Sequence, residues 1–162
     1  MRGVENLMTE LGAAMTGEQA ERKQKLESVW VRIEPSDHAS RCIAAHYIAD
    51  VQGDVEAEVE WDEVALAESA HVSDADLQAV HASLSVAGFM PSLHLNLADG
   101  YRRQGRFTEA SDRLQTSREF DFALDTALDP SYASGIREAQ VRLAARIAAG
   151  DRAGEPGPAA GA

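Results

Sequence analysis

The sequence predicts an all-α protein made of antiparallel helical hairpins. Three observations carry that expectation. Apolar side chains recur every three to four residues along most of the chain, the spacing that gathers them on one face of a helix. The segments so marked are short and are punctuated by capping residues, glycine and proline. One stretch alone, "DVEAEVEW" at 54–61, alternates like a half-buried strand. Its continuation "DEVALAES" breaks the alternation, and Ala57, Trp61, Val64 and Ala65 then fit a single helical stripe.

Taken in order, Val4, Leu7, Met8, Leu11 and Met15 make 3–15 an amphipathic helix. Thr16 with Gln19 offers a capping pair for a helix to about Ile33, stopped by Pro35, with Leu26, Val29, Trp30 and Ile33 on its apolar face. Ser36 opens the next, through "DHASRCIAAHYIADVQ" to Gly53. Residues 54–70 follow, and Ser73 with Asp76 starts a helix that Gly88 closes. Pro91 suits the first turn of a helix running to Gln104, and the segment from Phe107 to about Leu124 is its antiparallel partner, because the connection at Gly105 is so short. Asp129 and Pro130 begin the last helix, 131–149, with Ile136, Val141, Leu143 and Ile147 as apolar positions. The expectation is about seven helices in a single domain over 1–149. "DRAGEPGPAAGA" offers no large side chain to bury, so 150–162 reads as a disordered C-terminal tail.

A chain of 162 residues suits one domain. Its formal charge of −12 and pI near 4.7 argue against a nucleic-acid partner, since phosphate binding needs clustered Lys and Arg. The single cysteine, Cys42, lies in an apolar helical pattern, which predicts a buried, inert thiol and a reducing, cytoplasmic setting. The N-terminal "MRGVENLMTELGAAM" has no run long enough for a signal h-region. Nothing approaches the roughly 18 consecutive apolar residues of a membrane span.

The stretch "PSLHLNLADGYRRQGRFTEASDRLQ" carries a more specific pattern. Leu97, Ala98 and Tyr101 place a large apolar, a small and an aromatic residue on one helix, Gly105 makes the turn, and Ala110 is the small residue of the second helix. This resembles the tetratricopeptide repeat, a helix-turn-helix unit of about 34 residues. The match spans about 91–124, with a degenerate echo at about 36–70. Small side chains at Ala98 and Ala110 let the two helices approach closely, and Leu114 continues the buried face. Two pairings remain open upstream: 36–52 with 54–70, or 54–70 with 73–88. The resemblance implies hairpins stacked as a short right-handed superhelix, with 131–149 as its C-terminal cap. It also implies a non-catalytic scaffold that binds a protein or peptide in a concave groove. Ser92, Leu95, Asn96, Asp99, Arg102 and Arg103 then fall at or near groove positions, Leu95 as an apolar anchor. Asn96 coincides with an asparagine that some members use to hold a peptide backbone or terminal carboxylate. Ser92 and Leu95 stand where the lysines of that carboxylate clamp would be wanted, so an acidic C-terminus is not the expected ligand.

Asp50, on the echoing helix, joins Asp99 as a pair of carboxylates suited to a basic or amide-rich ligand. His46 lies four residues before Asp50 and shares its face. His94 lies four before Ala98, on the closely packed side. His38 and His46 are eight apart, and a third metal ligand would have to come from His71, His81 or His94. No HExxH, paired-cysteine or calcium-loop pattern accompanies them, and GxSxG, the Walker loop and the dinucleotide fingerprint are missing too. No cofactor is therefore expected. The run Glu56, Glu58, Glu60, Asp62, Glu63 reads as a solvated helix surface, to which "ADGYRRQGR" can bring basic partners. Trp30, Trp61, Tyr47 and Phe89 read as core anchors. Two alternatives stand beside the scaffold: a small metal-dependent hydrolase using interhelical His and Asp residues, and a self-associating structural module, a homodimer in its simplest form.

Overall fold

The structure, a computed structural model, describes residues 6–126 and 129–154. Val4 and the tail residues 155–162 lie outside the described residues. Among the described residues there is no strand, and the elements are eight α-helices and one 3-10 helix, where about seven helices were expected. They are α1 (Leu7–Ala14), α2 (Gln19–Trp30), α3 (His38–Ala49), α4 (Val55–Ser69), α5 (Asp74–Val80), α6 (Val86–Arg103), α7 (Phe107–Glu119), the 3-10 helix Asp121–Thr126, and α8 (Pro130–Ala148).

Local chemistry sets most of these starts. Asp37, rather than Ser36, caps α3 by accepting from the Ser40 N–H at 3.1 Å. Asp54 accepts from the Ala57 N–H at 2.9 Å, and Ser73 with Asp76 forms the expected capping box of α5. The proposed pair Thr16 and Gln19 does not cap α2. The Thr16 hydroxyl donates back to the Ala13 carbonyl at 2.8 Å, and the Gln19 amide donates to the Val51 carbonyl at 3.1 Å.

The largest departure from expectation lies between residues 80 and 91. The helix begun at Ser73 ends at Val80, where His81 is extended with φ −156° and ψ 133°. Gly88 is not its stop. Ser85 caps α6 by accepting from the Gly88 N–H at 3.0 Å, so Pro91 falls inside α6. There it removes one backbone donor. Pro91 is nonetheless packed in the core, and its carbonyl accepts from the buried Ser117 hydroxyl at 2.7 Å. At the other end of that hairpin α7 stops at Glu119, and a 3-10 turn takes the chain past Leu124.

Packing resolves the two open pairings. The most extensive helix contacts are α3 along α4 and α6 along α7, and α4 lies against α6. Leu11, Leu26, Ala44 and Ile48 centre one core among α1, α2 and α3. Cys42, Ala45, Ala65, Met90 and Leu93 join the two hairpins. Val59, Leu97, Tyr101 and Ala110 continue that seam, and Leu95, Ala98, Leu114 and Leu143 seat α8 on α6 and α7. Ala98 and Ala110 are both fully buried, as the close helix approach requires. Gly100 is closer still: a Cβ there would stand 2.5 Å from Val59 Cγ2. Gly105 closes the α6–α7 turn at φ +79°, in the left-handed region that glycine enters without steric cost. Val141, assigned to the apolar face of the last helix, is 66% exposed. The other three expected positions face inward, Leu143 buried and Ile136 and Ile147 packed against its cluster, and Ala133 and Gln140 are buried with them.

Gly150 ends α8 at φ +63°. The next residues fold back on the body. Arg102, fully buried, donates through Nη1 to the carbonyls of Asp151 and Ala153 at 2.7 and 2.8 Å. Arg146 reaches the Asp151 carboxylate at 2.9 Å. Residues 151–154 are thus fastened to α6 and α8, although they carry no regular structure. No described helix is long and apolar enough to cross a membrane.

Candidate binding groove

Leu95, Asn96 and Asp99 share one face of α6 because they lie one, three and four residues apart. In the structure they line an open cleft of about 190 Å³ whose other wall is α8, contributed by Ala139, Arg142, Leu143 and Arg146. Leu95 and Leu143 belong to one core cluster and form an apolar floor. Among the described residues no hydrogen bond uses the Asn96 amide. Arg142 has only a loose pairing with Glu138 at 3.9 Å, with both side chains largely exposed.

Asp99 is differently engaged. Its Oδ1 accepts from Arg102 Nε and Nη2 at 3.0 and 2.8 Å, and its Oδ2 accepts from Arg103 Nε at 3.0 Å. Asp99 is therefore a frame for two guanidinium groups as well as a cleft residue. Arg102 cannot serve as a groove residue, because its side chain is 0% exposed and points to the C-terminal segment. Arg103 turns the opposite way. Its Nη1 donates to Glu58 Oε2 at 2.9 Å, which ties α6 to α4; desolvation disfavours the Arg103 charge, but Glu58 and Asp99 outweigh it and raise its affinity for the proton.

His46 and Asp50 do not line the α6–α8 cleft. His46 stands on α3, and Asp50 caps its C-terminal end. The His46 ring meets Phe89 edge-on at 5.2 Å, and its buried Nδ1 has no partner among the described residues. Burial lowers its pKa to about 4, so the imidazole is neutral. Asp50 follows α3, and its pKa is raised to about 6 by desolvation and by the charge of Glu58. Of the sequence-assigned groove residues, Leu95, Asn96 and Asp99 line the cleft, and His46, Asp50, Arg102 and Arg103 do not.

The acidic run on α4 is not wholly a solvated surface. Glu56, Glu60 and Glu63 are exposed, whereas Asp62 is 1% exposed. The partners expected from "ADGYRRQGR" are present: Gln104 donates to Glu56 at 2.7 Å, Arg103 to Glu58, and the Tyr101 hydroxyl to Glu63 at 2.6 Å. Asp62 receives none of them, and neither carboxyl oxygen has a hydrogen bond. Burial, with the charges of Glu58, Asp50 and Asp99 and against the pull of Arg103, raises its pKa to about 8. The sequence held a signal for this. Asp62 lies three residues from both Val59 and Ala65, on the buried stripe of α4. Arg142 and Arg146 were also missed, although their spacing of four puts them on one face of α8.

The remaining histidines serve packing and pairing. His94 is 5% exposed and stacks on Phe120 with centroids 6.1 Å apart, and burial with the nearby Arg113 charge lowers its pKa to about 4. His38 Nδ1 lies 2.6 Å from Glu68, which also accepts from Arg41 at 3.0 Å. These two partners outweigh its desolvation and hold Glu68 below the usual carboxylate range. Among the described residues no three His, Cys, Asp or Glu side chains are gathered so as to hold a metal ion. Cys42 is buried, and burial, with the Glu68 charge, pushes its thiol up to about 12.

No protein-family model, curated protein or solved structure matches the chain.

Proposed function

We propose that this chain is a non-catalytic, tetratricopeptide-like scaffold that holds an extended peptide segment of a partner protein in the cleft between α6 and α8. The observation that carries the reading is the uncommitted Asn96 amide at the edge of an open cleft with an apolar Leu95 and Leu143 floor. A side-chain amide supplies both a donor and an acceptor, the pair that a peptide backbone needs. The succession of the α3–α4 and α6–α7 hairpins, followed by α8 on the second of them, supports a stack of this kind. Leu95 anchors an apolar side chain, and Arg142 offers an exposed cation at the rim.

Selection of random dodecapeptides on the immobilised full chain tests the reading. Enriched peptides are expected to bind the unaltered protein and to bind Asn96→Ala roughly three- to tenfold more weakly, the worth of one or two hydrogen bonds, with unchanged helical circular dichroism. No enrichment, or equal binding by the variant, overturns it. Asn96 is the informative position, because Asp99→Ala would also release the buried Arg102.

A further inference from the structure

We propose that the peptide held between α6 and α8 carries an aspartate or glutamate beside its apolar anchor, and that Arg142 of α8 receives this carboxylate at the rim of the cleft. This rests on the peptide-binding reading above and adds the charge that its ligand must carry.

The charges along the cleft are unevenly committed. Among the lining residues the carboxylate is Asp99, and it is saturated: Oδ1 accepts from Arg102 at 3.0 and 2.8 Å, and Oδ2 from Arg103 at 3.0 Å. A cationic peptide would have to compete with two guanidinium groups for it, and Asp50, its expected companion, does not line the cleft. Arg146 is engaged too, with Nε on the Asp151 carboxylate at 2.9 Å and Nη2 on the Ala153 carbonyl. Arg142 is held far less firmly. It stands one turn before Arg146 on the same face of α8, is 67% exposed, and among the described residues its ion pair is with Glu138 at 3.9 Å. Glu138, itself 72% exposed, lies outside the cleft wall. An exposed pair at that distance is weak enough for a better placed carboxylate to displace it.

Position and chemistry both suit an acidic side chain. The guanidinium fork donates two parallel N–H bonds to one carboxylate. Arg142 directly precedes Leu143 of the apolar floor, and Asn96 lies on the facing α6 wall. Peptide backbone, apolar side chain and acid thus have separate receivers on two helices, and the acid is expected within two residues of the anchor. The chain as a whole carries a formal charge of −12, which repels acidic peptides and a second copy of itself over long distances. At about 0.15 M salt that background is screened beyond about 8 Å, whereas a direct contact at Arg142 persists. The preference is therefore local, a cationic rim on an acidic molecule.

The test repeats the random-dodecapeptide selection, at about 0.15 M salt, on the unaltered full chain and on Arg142→Glu. Peptides enriched on the unaltered chain are expected to carry Asp or Glu within two residues of an apolar side chain, and those enriched on Arg142→Glu to carry Lys or Arg there. One peptide from the first set is then made with blocked termini in two forms, with its acid and with the matching amide, Glu→Gln or Asp→Asn. The acidic form is expected to bind the unaltered chain about two- to fivefold more tightly, the worth of an exposed ion pair, and Arg142→Gln is expected to bind both forms equally. Uncharged or basic residues at that place in the first set overturn the assignment, as does an acid preference of the same size on Arg142→Gln. A dimer of the unaltered chain that Arg142→Glu dissociates identifies a second copy as the occupant and overturns it as well. Failure of the peptide-binding reading itself looks different: nothing is enriched on either chain, and this inference falls with it.

Discussion

Gly100 of α6 lies so close to Val59 of α4 that a methyl group on the glycine would stand 2.5 Å from the valine Cγ2. This approach holds the two hairpins together, and it fixes the outcome of a small substitution. In an isolated helix Gly→Ala stabilises by about 1 kcal/mol. Here the added carbon meets a buried β-branched side chain, and overpacking of this kind costs about 1–3 kcal/mol. Gly100→Ala is therefore expected to lower the urea midpoint, and Val59→Ala in the same chain to cost less than it does alone. A raised midpoint would show that α4 and α6 separate freely at this level.

Arg102 supports a second prediction. Its charge is wholly buried, and its partners are Asp99 and the carbonyls of Asp151 and Ala153. Removing one side of a fully buried ion pair costs about 3–5 kcal/mol; Asp99 is 36% exposed and regains water, so the low end of that range applies here. Arg102→Ala is expected to destabilise on that scale, and a chain ended after Gly150 to lose a substantial part of the same amount. The two changes together should cost less than their sum. Additive effects in chemical denaturation would mean that the segment 151–154 and Arg102 act separately.

Asp62 predicts a stability that falls with rising pH. Its folded pKa, about 8, is above the ordinary carboxylate value of 3.8. Between those values the folded state binds a proton that the unfolded state does not, so each pH unit removes up to about 1.4 kcal/mol for this one group. Asp62→Asn does not titrate. The difference in unfolding free energy between variant and parent is expected to move in favour of the variant from pH 5 to pH 8 and to level off above. A difference that stays constant over that range would place the carboxyl in contact with water or with a partner.

His94 predicts the opposite slope at lower pH. Buried against Phe120, its pKa is lowered from 6.5 to about 4. The unfolded chain takes up a proton first, so the contribution of His94 is fully present above pH 6.5 and is lost as pH falls toward 4. His94→Phe keeps the stacking and removes the titration. Its stability relative to the parent should rise as pH drops through this window, followed by thermal unfolding at fixed ionic strength.

The helical class was legible because periodic apolar spacing is a local property, and the Ser73–Asp76 capping box was legible for the same reason. The break after Val80 was not. Gly88 and Pro91 commonly mark a stop and a start, but here Ser85 caps α6 ahead of both, and tertiary packing around Pro91 and Ser117 accommodates the proline within the helix. Of the groove residues, Leu95, Asn96 and Asp99 could be placed from their spacing, which one helix face determines. The burial of Arg102 depends on a segment 49 residues away, and that of Asp62 on two other helices. Sequence spacing shows which residues share a face and leaves open which neighbour will cover it.

The connection from α4 to α6 runs through α5 and the exposed residues His81, Ala82 and Ser83. The two hairpins do not depend on that strip for their alignment, since α4 already lies directly on α6. Doubling a flexible loop costs only about 0.6 kcal/mol. Ala82 is accordingly a place where the molecule can be split, or a reporter inserted, with the halves still recognising each other across the seam of Val59, Leu97 and Gly100.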